Sequence, residues 1–566
     1  MELLGIPPLV AQVFALGRTG YRLVRDFKST GEHSTRLLGE LEIEDRRFQA
    51  WGEATGLSRS DWNGLQHCYL DQAVLDILCS IVLRFADISK LVERYGHQKS
   101  QGTGQEVETK VAIESISILD YKSLTNLQSI TEEVARYREI IKLTQTSISA
   151  LNKFRWVLAD RQKFKRLIDD LHSSNNSLGA LSTPKTLAVA NSLSTFDLLN
   201  TNDPSHLSLI STSSSSSHPE LSRTAAFKSQ NLLSPSSFSL PPDPIPHQDL
   251  VIDDPITPSR TLALLLSKNV PVSRVLIEWK SRGSFSNPIS SNASSALILS
   301  RIQKLVHLLA SNPPHAFRTL SCAGYHAGPI RIGLIFNLPS SASGTSLPSS
   351  LEQLLGDRKI VQAIYGGKPP LEARFRLAHA LAQAVAGLLL VNWLHKGVCA
   401  RNVLFFPCKD DASAIDISSP FLTGFDFSRE VTDRAFSENS IGLANDLYRH
   451  PDHDAGSEFQ KSYDIYALGL VLLQIGLWES LETLGGVEKD NEGNFVYASH
   501  RKLREDLLER CIQSGRLCYR MGTGYQNAVR YCLNMGIGLQ HNEKMRPIAA
   551  GSFFSMVICN LTAFSM

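Results

Sequence analysis

From residue 32 to about residue 171 the apolar side chains return every three or four positions instead of alternating, which commits this stretch to helices with one apolar face. The stripes are Leu37, Leu41, Phe48 and Trp51; Val74, Leu78, Ile81, Val82, Phe85, Ile88 and Val92; Leu127, Ile130, Val134, Tyr137, Ile141 and Ile148; and Val157, Phe164, Leu167, Ile168 and Leu171. Such helices bury their stripes against one another, so residues 1–190 are read as an all-α bundle.

A chain of 566 residues has room for more than that bundle. After about residue 178 the composition shifts to Ser, Pro, Thr and Asn, with a serine run at 213–217 and Pro241, Pro242, Pro244 and Pro246 close together. So little apolar surface does not offset the entropy of ordering, and 191–248 is expected to be a flexible linker with serines open to phosphorylation. Beyond it, 274–280 and 330–338 read as strands around a helical stretch at 298–309, with a second linker-like loop at 281–295. From Leu371 the pattern is helical again, apart from strand-like pieces at 403–406 and 421–423. Residues 249–566 are therefore expected to form a two-lobed α+β domain.

Charge and cysteine usage remove several functions. Lys and Arg number 57 against 55 Asp and Glu, a net +2 that gives no field for drawing nucleic acid. Nine cysteines without a CxxC pair are neither a disulfide framework nor a zinc site, so a reduced, cytoplasmic protein is expected. His450, His453 and Asp454 lie close in sequence but on a loop, and no metal site is expected. Residues 3–16 carry no charge, with Leu3, Leu9, Val13 and Leu16 among them, yet Glu2 stands where a secretory signal needs basic residues. Fourteen helical residues rise about 21 Å, short of a hydrocarbon core of about 30 Å. The segment is read as an apolar helix that the resting protein covers.

In the second half, 393–406 reads WLHKGVCARNVLFF, 420–430 PFLTGFDFSRE, 447–452 LYRHPD and 463–478 YDIYALGLVLLQIGLW. In this order and spacing they resemble the catalytic loop, metal-binding segment, activation-segment end and central helix of a eukaryotic protein kinase. The resemblance implies structural roles for Asp464, the buried Asp of the central helix, and for Asp452 paired with Arg546. It also exposes departures. Two residues after His395, where the family carries its general base, stands Gly397. The metal-binding triplet begins with Gly424, and Asp426 comes two positions late. Asn402 alone keeps its metal-ligand chemistry, and Lys280 stands where the family has its phosphate-contacting lysine, which makes these two the nucleotide-binding candidates. No glycine occurs in 251–271, so the phosphate-cradling loop is missing. A positioned base alone contributes roughly 10²–10⁴ in rate, and without it, the metal carboxylate and the loop a catalytically silent pseudokinase is expected. The balance is against ATP and magnesium as cofactors.

In the first half, GELEIEDRRFQAWGEATGL at 39–57, the apolar opening at 3–27 and the Trp156 and Phe164 helix resemble the HeLo domain of fungal prion-inhibition and heterokaryon-incompatibility proteins. That family implies membrane permeabilisation and programmed cell death, with the first helix exposed on activation. Pro7 and Pro8 interrupt the run and argue against a straight insertion helix from Leu3. A bundle joined to a kinase-like domain resembles the layout of an animal necroptosis executioner, in which a pseudokinase controls a membrane-active bundle. The resulting expectation is a fungal signalling or cell-death protein with an upstream protein partner, homo-oligomerisation and relocation to the plasma membrane. An atypical Ser/Thr kinase and a two-domain structural adaptor are the alternatives.

Overall fold

A computed structural model describes residues 6–25, 32–57, 72–85, 161–233, 243–257, 259–267, 270–281, 291–311, 313–342, 347–408, 415–425, 429–430, 447–453, 459–490, 495–538 and 550–562. The third sequence stripe, at 127–148, falls outside them, as do Ile88, Val92 and Val157. The chain divides into two compact units, Met1–Leu198 with Thr212–Ser216, and Leu199–Ser211 with Ser217–Met566.

The first unit contains the helices Ile6–Arg25, Glu32–Ala54, 72–85 and Arg161–Ala180. Their stripes meet in one core that includes Val13, Phe14, Phe48, Trp51, Val74, Leu78, Phe85, Phe164 and Leu171. Pro7 and Pro8 sit in the first turn of Ile6–Arg25, where a missing amide costs nothing. Helix Glu32–Ala54 crosses so closely at Gly52 that a Cβ there would lie 2.0 Å from Phe14 Cζ. The buried Glu44 carboxylate is paired: it accepts from Arg47 and Asn175 at 2.8 Å and bonds His172 at the same distance.

The linker expected at 191–248 is corrected over its first two thirds. Helices Pro184–Leu199, Pro204–Ser214 and Pro219–Leu232 occupy it, each opening on a proline whose fixed φ suits the first turn. Composition misled because Ser and Thr hydroxyls here bond back to the carbonyls of their own helices, as Thr224 does to Glu220 at 2.7 Å and Ser194 to Asn191 at 3.0 Å. Sparse apolar positions then suffice: Leu207, Ile210, Leu221, Ala225 and Phe227 are all buried.

The second unit combines an antiparallel sheet with helices, an arrangement compatible with two lobes. Strands β1 (Leu250–Thr257), β2 (Arg260–Ser267), β3 (Val270–Ser281), β4 (Cys322–Ala327) and β5 (Arg331–Asn337) form it in the order β1-β2-β3-β5-β4. Helix Ser291–Ala310 begins inside the loop expected at 281–295 and packs against the sheet through Ile302, Leu305 and Val306. In the helical part Lys461–Leu477 is buried along nearly its whole length, between Leu371–Leu390 and Arg516–Asn534. Cationic side chains from neighbouring elements cap helix C-termini: Lys461 donates to Leu389 O at 2.9 Å, Arg374 to Gly476 O at 2.7 Å and Arg504 to Leu533 O at 2.8 Å.

Candidate functional site

The short strand Trp393–Leu394 ends in a turn that Asp464 holds from below, its carboxylate oxygens accepting from the backbone amides of His395 at 2.8 Å and Lys396 at 2.9 Å. Burial pushes the Asp464 carboxyl up to about 7, with those two amides pulling the other way. His395 turns inward, its Nδ1 accepting from Gly397 N at 3.1 Å and its ring 4.6 Å from that of Phe425. Burial pushes its pKa down to about 3, the Arg260 charge adding to the effect, so the imidazole is neutral and orders the turn.

At the next turn Asn402 Nδ2 donates to Gly397 O at 2.6 Å, which directs the side chain across the site. Gly424 faces it with φ +85°, and a Cβ on that residue would lie 2.2 Å from Asn402 Nδ2. Gly397 is tight but less confined, since its Cβ would meet Gly424 O at 3.0 Å and Asn402 Nδ2 at 3.1 Å. The two positions that lack carboxylates are thus positions with little or no room for one.

The sheet closes the site from the other side. Arg260 at the start of β2 donates through Nε to Glu278 at 2.8 Å, through Nη1 to Arg401 O at 2.9 Å, and through Nη2 to Asn402 Oδ1 at 2.6 Å and Thr423 Oγ1 at 3.0 Å. Glu278 in β3 accepts in turn from Gly424 N at 3.0 Å. Arg260 and Glu278 are both 5% exposed. Neither was singled out from the sequence. The signal was available: a lone carboxylate inside the apolar run Val275, Leu276, Ile277, Glu278, Trp279 requires a buried cation. The β3 side chain placed against Gly424 is Glu278, two residues before Lys280, which lies opposite Ile332 at the far end of the strand.

Other sequence candidates are distributed as follows. Asp426, Arg546 and Leu3 lie outside the described residues. Asp452 is held by Arg501 at 2.7 Å and by the amide of Gly538 at 2.7 Å. His450 stacks on Tyr463 at 4.5 Å and accepts from Asp452 N through Nδ1, so its ring orders the loop. Leu9, Val13 and Leu16 are buried in the first unit's core, at 5%, 1% and 8% exposure. No helix among the described residues is long and apolar enough to cross a membrane.

Residues 3–210 match the HeLo family model, described as prion-inhibition and propagation. The N-terminal part of the chain is a HeLo domain. A search of curated proteins returns no match.

Proposed function

We propose that this is a signalling protein of the fungal cell-death, heterokaryon-incompatibility type, in which a catalytically silent kinase-like domain controls a membrane-active HeLo bundle. The observation that carries the reading is the HeLo match over 3–210. It is supported by the first helix, whose apolar residues Leu9, Val13 and Leu16 are packed away and become available to lipid only when the helix leaves the bundle. The uncharged run of this helix ends before Arg18 and is too short to cross a bilayer alone, so homo-oligomerisation precedes permeabilisation at the plasma membrane.

The kinase-like half of the reading rests on the order of sequence segments and on the Asp464 contacts to the 395–396 amides. Its silence follows from residues that are present: Gly397 and Gly424 supply neither a proton acceptor nor a metal ligand, and the Arg260 cation is already engaged by Glu278 and Asn402. Control is then exerted by binding a protein partner instead of by phosphorylating one.

Dye release from anionic-lipid vesicles tests the proposal, using the full chain and residues 1–216. Release by the shorter chain, and less release by the full chain, is the expected outcome. Vesicles that stay sealed with both would contradict it.

A further inference from the structure

We propose that Arg260 and Glu278 form an internal latch that closes the sheet onto the helical part of the C-terminal unit, in place of any bound ligand. The inference stands on the contacts alone, independently of the membrane reading.

Arg260 belongs to β2, yet three of its four acceptors belong to the segments at 401–402 and 423. All three guanidinium nitrogens are engaged, so one arrangement of the side chain satisfies all of them at once. Glu278 both neutralises that charge and receives the Gly424 amide, linking β3 to the same segment. Gly424 N would lose this acceptor if the sheet swung away, and Asn402 Oδ1 would lose its donor.

The pair therefore fixes the sheet against two segments at once. Lobes separated by a ligand cleft are ordinarily brought together by what binds between them. Here a cation and an anion from the sheet itself supply that bridge. Opening the unit requires separating a buried ion pair from its hydrogen-bond partners, which makes closure an all-or-none event.

Hydrogen exchange on the full chain tests the latch, comparing wild type with Arg260→Met and with Glu278→Gln. Arg260→Met should speed exchange by about 10²-fold or more in β2, β3 and residues 397–424 while leaving helix Lys461–Leu477 as in wild type. Equal exchange in variant and wild type would overturn the proposal. So would a uniform rise across the helical part, which would make Arg260 an ordinary core residue. Should Arg260→Met not fold, Glu278→Gln keeps the shape and one acceptor for Gly424. It should loosen the Gly424 amide and β2 selectively, and exchange unchanged there would overturn the latch. Added magnesium-ATP should leave the wild-type pattern as it is; new protection at 397–424 would show that a ligand does the closing.

Discussion

Asn402 occupies the space that any side chain on residue 424 would need, its Nδ2 lying 2.2 Å and its Cγ 2.3 Å from where a Gly424 Cβ would stand. The packing at residue 424 therefore excludes a carboxylate, and substitution alone does not restore one.

Gly424→Asp should accordingly fail as a repair. It combines a left-handed φ with a clash, and strained backbone of that kind costs about 1–3 kcal/mol before the clash is counted. Thermal unfolding of the C-terminal unit should fall by several degrees, with no phosphoryl transfer gained. A variant as stable as wild type would mean that Asn402 moves aside freely.

Asp464 carries the pH-dependent prediction. Its folded value of about 7 against 3.8 for the exposed group means that the folded chain keeps a proton, between those values, that the unfolded chain releases. The contribution of this group to stability is full below the lower value and is lost as pH rises through the higher one. Unfolding free energy measured across that interval should decline less steeply in Asp464→Asn than in wild type. The deficit of the variant, whose NH₂ opposes one of the two amide donors, should therefore be widest at the acid end of the interval and narrow as pH rises. Parallel pH profiles would place the titration elsewhere.

Within the first helix, Val13 and Ala15 make a matched pair, one buried at 1% exposure and the other on the solvent side. Val13→Glu should unfold the bundle, since an unpaired buried charge costs more than a marginal fold can carry. Ala15→Glu should fold normally, as followed by circular dichroism, and should reduce vesicle dye release only if the whole helix enters lipid. Normal folding of Val13→Glu would contradict the packing described for this helix.

Gly52→Ala tests the tight crossing in the same bundle. Overpacking typically costs about 1–3 kcal/mol, and the added methyl would fall on the Phe14 ring. Combining it with Phe14→Leu should recover part of the loss, whereas strict additivity would show that the two residues do not share the site.

Much of this was legible in the sequence where one signal acted alone. Helical stripes such as Phe164, Leu167, Ile168 and Leu171 ended in the core because periodicity and burial are the same physical demand. The 191–248 segment was not legible, because serine reads as disorder by composition although a helix can satisfy its hydroxyl locally. Strands β1, β2 and β4 were missed: β2 reads Thr261, Leu262, Ala263, Leu264, Leu265, Leu266, an apolar run without alternation. At the candidate site, the absences at Gly397 and Gly424 were visible, while the groups filling the space, Arg260 and Glu278, come from strands far away in sequence. The carboxylate of Glu278, two positions before Lys280, was overlooked. The expected Asp452 pairing with Arg546 falls outside the described residues, and the contacts that do hold Asp452, from Arg501 and Gly538, carried no sequence signal.

The site formed by Asn402, Gly397, Gly424, Arg260 and Glu278 should not transfer phosphate. The direct measurement is phosphate release and autophosphorylation by the full chain supplied with radiolabelled magnesium-ATP, with Asn402→Ala run beside it. Both chains should stay at the level of the protein-free blank. Turnover by wild type that Asn402→Ala abolishes would contradict this.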